Sequence, residues 1–223
     1  MAIAKETLAF LRDLRENNNR EWFEANRSRY ELAWQNMKDF VGELIIALSK
    51  VDPYIHADIP VSKCVFRIYR DTRFSKDKTP YKEWLGAGIS TAGRKLAGPE
   101  YYLHISPGQS FIAGGYWRPE KEHLAAIRQE IDYNEQEFRD IVEETTFLKE
   151  LKMDTEDTLK KAPAGYQPDH PAIDLLRLKS FTASSPLSDA DISSKEAIER
   201  IVGKGAAMLD FKMFLHRAIG QEA

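Results

Sequence analysis

Apolar residues at helical spacing mark both ends of the chain. Three leucines recur at every third position within 4–16, which predicts a first amphipathic helix. A longer stripe predicts a second helix over about 20–49, and at 1.5 Å per residue that helix would be about 45 Å long. A third stripe predicts a C-terminal helix over about 189–219, which Gly203 and Gly205 are expected to interrupt. The stripe of the second helix comprises Phe23, Tyr30, Trp34, Met37, Val41, Leu44, Ile45 and Leu48.

The middle of the chain alternates with a period of two, which is typical of strands. Residues 64–70 (CVFRIYR) are predicted to form one strand, and 85–90 a second. Residues 101–106 and 111–117 flank the sequence Pro-Gly-Gln-Ser and are predicted to form a hairpin. The strands therefore come as a group, between the two helical ends of the chain.

Helical patterns return after the hairpin. Pro119 fits the first turn of a helix, a further helix is predicted near 134–144, and a short one over about 171–178 lies inside the proline-punctuated stretch 160–186. Helices first, strands in the middle and helices last predict an α+β fold. We expect a central, mostly antiparallel sheet packed by long N-terminal and C-terminal helices. No repeat or linker is visible, so residues 1–223 are predicted to form a single domain.

Composition narrows the class of protein. A hydrophobic fraction of 43% and a charged fraction of 30% are those of an ordinary soluble protein. The net charge of −3 argues against a protein that coats nucleic acid, because the basic excess of such a protein would be global. The single cysteine, Cys64, excludes an internal disulfide and favours a reducing compartment. No apolar run reaches the length of a membrane span, and the N-terminus has no signal-peptide core, so a cytoplasmic location is expected.

Charge is concentrated in residues 67–82, which we call the basic loop. It carries six basic and two acidic residues, about +4 in an acidic chain, interleaved with aromatic side chains. Arginine offers a planar fork of donors and lysine a mobile charge, so such a loop suits phosphate or carboxylate groups. The alternatives are an internal network, in which Asp71 and Asp77 neutralise neighbouring arginines, and a solvated loop. The predicted ligand-binding residues are Arg67, Arg70, Arg73, Lys78, Lys82 and, from the turn before the second helix, Asn18.

Two residues are candidates for proton transfer. His104 shares a strand face with Tyr102, and Arg67 shares one with Tyr69, whereas Phe66 lies on the opposite face. If the two strands lie near each other with their aliphatic faces together, His104, Arg67 and Tyr69 converge in one polar pocket. His104 and Tyr69 are therefore the predicted catalytic residues, and a purely structural role for the histidine is the alternative.

Four segments together resemble a known family: residues 16–31, 66–84 (FRIYRDTRFSKDKTPYKEW), 101–119 and 159–181. Their order and content identify the chain as similar to the domain-of-unknown-function 2461 family, a group of conserved hypothetical bacterial and fungal proteins. The resemblance covers nearly the full length, and the second segment is highly specific. It implies no activity, substrate or cofactor.

Three hypotheses for function remain open. The first is a pocket for a phosphate-type anion, formed by the basic loop and the sheet, whose ligand is a phosphorylated small molecule, a nucleotide or a nucleic-acid end. The second is an enzyme that uses the same pocket on a phosphorylated or carboxylated small molecule. The third is a module that docks an acidic protein. The five histidines form no ligand pair at metal-binding spacing, so no metal and no other cofactor is predicted.

Overall fold

The computed structural model describes residues 1–221, which form eleven α-helices and a five-stranded antiparallel sheet in the order β1-β2-β3-β5-β4. The fold is therefore α+β, as predicted. The helices are α1 (Lys5–Glu16), α2 (Arg20–Ala25), α3 (Arg27–Leu48), α4 (Val61–Cys64), α5 (Lys121–Tyr133), α6 (Glu135–Glu143), α7 (Thr145–Glu150), α8 (Ile173–Leu176), α9 (Asp189–Ser193), α10 (Ala197–Ala207) and α11 (Leu209–Ala218). The strands are β1 (Leu85–Ile89), β2 (Glu100–Ile105), β3 (Ser110–Tyr116), β4 (Lys152–Met153) and β5 (Phe181–Leu187).

The described chain is organised as two compact units. Unit 1 comprises residues 1–95, 102–112 and 186–203, and unit 2 comprises residues 96–101, 113–185 and those from Lys204 onward. The three middle strands of the sheet contribute residues to both units. The single domain that the sequence predicts requires the two units to unfold together, and this stays a prediction.

The core of unit 1 forms where α1 packs along α3 and both helices bury one apolar face. The ring of Phe23 stacks on that of Tyr81, with 3.9 Å between centroids. Burial of such side chains is the main favourable term in folding, at about 25 cal/mol per Å² of apolar surface. The most enclosed core residues include Phe10, Leu11, Leu14, Phe23, Met37, Phe40, Val41, Leu44, Ile68, Leu85, Ala87, Ile89, Leu103, Ile105 and Ile112.

The predicted single helix over 20–49 is interrupted once. Asn26 ends α2 and precedes α3, and its side-chain Nδ2 donates to the carbonyl of Trp22 at 2.9 Å. An asparagine amide competes with the backbone in this way and so favours helix ends over helix interiors. The apolar stripe is largely buried, but Trp34 and Tyr30 are only half-buried.

The prediction of a strand over 64–70 is wrong. Cys64 is the last residue of the short helix α4, and the residues after it make only isolated antiparallel bridges, Val65 with Ala87 and Tyr69 with Tyr81. The segment is extended and pairs with 81–87, yet it lacks a continuous ladder. Strict alternation of faces therefore does not hold along it.

The predicted strand over 85–90 and the hairpin are confirmed as β1, β2 and β3. Along β2, Leu103 and Ile105 are fully buried, whereas Tyr102 and His104 are half-buried. This alternation is the signature of a sheet with one face in the core and one face open.

The core of unit 2 is rich in aromatic side chains. Phe138 contacts the rings of Phe181, Phe211 and Phe214, with centroids 5.0–6.3 Å apart. Gly115 has a φ of +118°, and a Cβ at this position would lie 2.1 Å from the carbonyl oxygen of Phe181. Only glycine allows β3 and β5 to approach this closely.

The predicted C-terminal helix over 189–219 is three helices, α9, α10 and α11. The two glycines lie inside α10, and the break before α11 falls at Met208 instead. The carbonyl of Gly205 accepts a hydrogen bond from the Tyr101 hydroxyl (3.2 Å) and from the Met208 amide (3.1 Å). The helix tightens there because a tertiary hydrogen bond occupies that carbonyl.

Three elements of unit 2 were not predicted, namely α7, β4 and β5. The short helix expected near 171–178 is α8, and β5 begins only five residues after it. Pro186 lies beyond the residues of β5 that pair with β4, Ala183 and Ser184. Its missing N–H therefore removes no bond from that pairing.

Candidate functional site

The basic loop has the shape of a hairpin, and the segments before and after its tip, which we call its arms, are paired by hydrogen bonds. The Lys82 amide donates to the carbonyl of Ile68 at 2.7 Å, and Tyr69 and Tyr81 form an antiparallel bridge. Residues 71–79 form the tip between the two arms. The arms fix where the basic side chains leave the backbone.

Charges at the tip are paired within it. Arg70 contacts Asp77 at 2.5 Å, and Arg73 contacts Asp71 at 2.7 Å. The hydrogen bond from Arg73 lowers the pKa of Asp71 to about 2, and that from Arg70 lowers the pKa of Asp77 to about 2. Lys78 donates to a backbone carbonyl at 2.9 Å. For Arg70, Arg73 and Lys78 the geometry thus matches the internal-network alternative, and their ligand-binding role stays a prediction.

Asn18 has its side-chain amide engaged on both sides. Its Oδ1 accepts from the Tyr81 amide at 3.1 Å, and its Nδ2 donates to the Tyr81 carbonyl at 3.0 Å and to Glu83 at 3.2 Å. The side chain therefore extends the pairing of the loop arm to the turn between α1 and α2. Both functions of the amide are used in holding the loop in place.

Tyr69 and His104 belong to different aromatic groups. Tyr69 packs on Phe23 and Tyr81, at 6.1 and 5.6 Å between centroids. Phe66, which alternation placed on the opposite face, contacts Tyr102 instead, at 6.0 Å. Phe66, and not Tyr69, is thus the residue of this segment that contacts the ring next to His104, and the recorded ring contacts do not join Tyr69 to His104.

His104 lies between two aromatic rings. It stacks on Phe111 with 4.9 Å between centroids and an interplanar angle of 16°, and Trp84 lies at 4.9 Å. The Tyr102 hydroxyl is 3.1 Å from its Nδ1. Burial lowers the pKa of His104 to about 4, because the charged imidazolium loses hydration there. The imidazole is neutral at pH 7.

Trp84 owes its position to a glycine. A Cβ on Gly86 would lie 2.9 Å from a ring carbon of Trp84 and 3.2 Å from the carbonyl oxygen of Leu103. The indole ring therefore lies on strand backbone that carries no side chain. This arrangement keeps Trp84 and His104 side by side, both half-buried.

Two cations lie over these rings, and a third basic residue, Arg67, contacts one of them. The Lys82 ammonium is 5.1 Å from the centroid of Trp84 and 5.9 Å from that of Phe66, and the Arg94 guanidinium is also 5.9 Å from Phe66. Lys82 donates to the backbone carbonyl of Arg67 at 2.6 Å. Burial, followed by the charges of Arg67 and Arg94, lowers the pKa of Lys82. Lys82 thus lies within range of the positive charges of both arginines.

Arg67, Lys82 and Arg94 have no carboxylate within 4.0 Å among residues 1–221, although Asp71 feels the charge of Arg67 at longer range. They differ in this respect from the arginines of the loop tip. We name this group the aromatic–basic surface; its members are Phe66, Arg67, Lys82, Trp84, Arg94, Tyr102, His104 and Phe111.

Sequence reasoning identified Arg67, Lys82 and His104 but not the rest of the surface. Period-two spacing placed Tyr102 beside His104, and the same rule applied to Phe111 and Trp84 could have added them. Arg94 lies in a 3-10 turn and carries no local signal. Only the tertiary structure brings Arg94 next to Phe66.

No cluster of three or more metal-ligating side chains occurs among the described residues. Within the same residues no helix is both long and apolar enough to cross a membrane. The surface therefore has to be interpreted from its rings and its charges.

Comparison with protein families agrees with the resemblance seen in the sequence. The model of a family described as conserved hypothetical protein, DUF2461, matches residues 6–214. The chain belongs to this family. No curated protein and no solved structure matches the chain. The match spans both units and includes every residue of the aromatic–basic surface.

Proposed function

We propose that the aromatic–basic surface binds a phosphate-type anion. The observation that carries the proposal is the grouping of Arg67, Lys82 and Arg94 without a carboxylate partner. Like charges held together raise the free energy of the unliganded protein, and the charges of Arg67 and Arg94 add to burial, the larger cause, in lowering the pKa of Lys82. An anion that bridges the three cations relieves the repulsion. Two guanidinium forks and one ammonium are a donor set suited to phosphate oxygens.

The proposal moves the site from the tip of the basic loop to its base. Arg67 and Lys82 remain ligand-binding residues, and Arg94 joins them. Arg70, Arg73, Lys78 and Asn18 act by holding the loop and its arms in place.

The enzyme hypothesis gains no support from this geometry. With a pKa of about 4, His104 is not protonated at pH 7 and cannot serve there as a general acid. Tyr69, its expected partner, packs with Phe23 and Tyr81. We therefore propose binding as the function and make no proposal about catalysis.

A cytoplasmic location completes the proposal. Cys64 is a free, buried thiol, which is consistent with a reducing compartment. The proposed ligand, a phosphate-bearing molecule, is of a kind that such a compartment supplies.

Titration calorimetry with tripolyphosphate tests the proposal. We expect Lys82→Gln and Arg94→Gln each to weaken binding at least tenfold, since each removes one charged contact. The matched control is Lys76→Gln, because Lys76 is an exposed lysine of the same loop with no hydrogen-bond partner among the described residues. Its loss should change affinity less than twofold.

Equal losses in all three variants would show that the diffuse charge of the loop attracts the anion, and would contradict the proposed site. Absence of any binding to the unmodified protein would also contradict it. An acidic protein that binds, and that tripolyphosphate does not displace, would favour the docking hypothesis instead. Melting curves of each variant show whether the fold is intact.

A further inference from the structure

We infer that the anion bound at the aromatic–basic surface is a nucleotide unit, with its base on the rings and its phosphate at the cations. The inference rests on the proposed function and adds the chemical class of the ligand. Its two sources are a free nucleotide and the end of a single strand, which present the same base and phosphate.

The first observation is the number of rings on an open sheet face. Five rings (Phe66, Trp84, Tyr102, His104 and Phe111) contact one another with centroids 4.9–6.4 Å apart, and all five are half-buried. The open face of an antiparallel sheet normally carries polar side chains. A contiguous group of half-buried rings in that position favours a binding surface. Binding of an inorganic anion leaves these rings unexplained.

The second observation is the neutrality of the histidine. His104 contributes an aromatic ring without a positive charge at pH 7, because burial lowers its pKa to about 4. Its ring stacks on that of Phe111, with 4.9 Å between centroids and 16° between the ring planes. The histidine thus extends the aromatic cluster instead of adding a cation, and the neighbouring positive charges lie over Phe66 and Trp84.

The third observation is the distance between rings and cations. Lys82 lies 5.1 Å from the centroid of Trp84, and Arg94 lies 5.9 Å from that of Phe66. A base that stacks on an aromatic side chain needs its phosphate to meet a cation within the reach of one nucleotide. Proteins that bind single strands combine aromatic stacking with basic side chains in this way.

Duplex nucleic acid fits less well. A duplex is held mainly by many phosphate contacts along its backbone, whereas this surface offers three unpaired cations in a chain with a net charge of −3. Bases in a duplex are stacked on one another and do not expose their faces. The surface therefore selects for an unpaired base.

The experiment compares two ligands that share a triphosphate chain and differ in the base, together with a single strand. Affinities are measured by calorimetry for tripolyphosphate, for a purine nucleoside triphosphate and for a six-nucleotide single strand. We expect the nucleoside triphosphate to bind about tenfold more tightly than tripolyphosphate, because base–aromatic stacking contributes on that scale. Trp84→Leu should abolish this difference, so that the variant binds the nucleoside triphosphate and tripolyphosphate with the same affinity.

The matched control is Trp117→Leu, which removes a tryptophan that is 65% exposed in unit 2 and should alter neither affinity. Phe66→Leu is the second test variant, to be used if Trp84→Leu does not fold, and is expected to reduce the advantage of the nucleotide at least threefold. A strand that binds more tightly than the nucleotide identifies a strand end as the ligand; equal affinities identify the free nucleotide.

Failures of the two proposals are distinguishable. Equal affinities for tripolyphosphate and the nucleotide would overturn the inference and leave the proposed function standing. A nucleotide advantage that survives in both ring variants would likewise overturn it, because the base would then bind elsewhere. Absence of binding by all three ligands would overturn both.

Discussion

Unit 1 and unit 2 both place charged side chains next to aromatic rings, and they differ in what neutralises the charge. In unit 1, Lys82 and Arg94 face Phe66 without a carboxylate within 4.0 Å among the described residues. In unit 2, Arg217 lies over the ring of Phe214 and pairs with two carboxylates, at 2.9 and 2.7 Å. Similar contacts to a ring therefore leave cations without a carboxylate partner in one unit and form a closed network in the other.

The carboxylates of unit 2 are also engaged locally. An open groove of about 540 Å³ lies between α6, α7 and α11. Glu137 on its rim pairs with Arg217, and Glu144 accepts a hydrogen bond from the Phe147 amide at 2.9 Å and so caps α7. Asp140 accepts from Gln136 at 2.8 Å. A high density of charge does not by itself make a binding site. The positions of the opposite charges determine which charged groups are left for a ligand.

The largest expected effect tests whether the two units can be compared as parts of one domain. Phe23→Ala in unit 1 and Phe138→Ala in unit 2 each remove a fully buried ring, and each should cost about 3–5 kcal/mol of unfolding free energy. If the chain is a single cooperative domain, both variants shift the same transition in a urea titration. Two transitions, each sensitive to one variant only, would contradict the single domain.

Trp34→Ala is the control for this pair. Trp34 is half-buried and stacks on Tyr30 at 6.1 Å, so its removal opens less of the core. The cost should be smaller than that of Phe23→Ala. A larger cost would show that the stripe of α3 has an importance that its burial does not explain.

The next effect concerns the buried carboxylate of unit 2. Burial raises the pKa of Glu100 to about 7 against the opposing charge of Lys212, and Oε2 of Glu100 has no hydrogen-bond partner among residues 1–221. Between pH 4.5 and pH 7 the folded state binds more protons than the unfolded state, so stability falls as the pH rises. Glu100→Gln should remove this dependence. The free-energy difference between variant and parent should shift in favour of the variant by about 2–3 kcal/mol from pH 4.5 to pH 8.

Urea titrations at four pH values across that range measure this shift. A difference that stays constant with pH would contradict the assignment of the raised pKa to Glu100. Glu122→Gln, at an exposed glutamate of α5, is the control and should show a constant difference.

The smallest effect has the opposite sign and belongs to unit 1. The pKa of His104 is lowered from 6.5 to about 4, so the unfolded state binds more protons between these values and stability rises with pH across them. His104→Gln should lose this rise, which we put at about 1–2 kcal/mol because solvent screens the partly exposed ring. Urea titrations at the same pH values measure this loss. If the stability difference between His104→Gln and the parent shifted with pH in the direction expected for Glu100→Gln, the lowered pKa of His104 would be contradicted.

Glu100 and His104 together predict the pH dependence of the stability of the parent protein. Between about pH 4.5 and pH 6.5 their contributions oppose each other, so the parent protein should show a flatter pH profile than either variant. A parent profile as steep as that of a single variant would show that one of the two residues does not titrate as described.

Much of the fold could be predicted from local patterns. The spacing of leucines predicts α1, and period-two alternation predicts β1 to β3. These elements depend on residues close in sequence, and the hydrophobic effect acts on them through a simple period. The order of helices and strands was sufficient for the α+β class.

Elements governed by distant partners could not be predicted. The break at Met208 arises because Tyr101, more than 100 residues earlier, occupies the carbonyl of Gly205. Residues 65–70 pair only at isolated bridges, which alternation in the sequence does not reveal. In the first case the partner is a distant side chain, and in the second the long-range pairing is too sparse to form a regular strand.

The candidate site divides in the same way. The sequence by itself determined the family, the α+β class, the excess of charge in residues 67–82 and the shared face of Tyr102 and His104. Only the tertiary structure decided which cations are neutralised, because Asp71 and Asp77 fold back on Arg73 and Arg70. A charge count sums over the chain, whereas a binding site depends on distances between side chains. The cations without a partner at those distances are what define the proposed site.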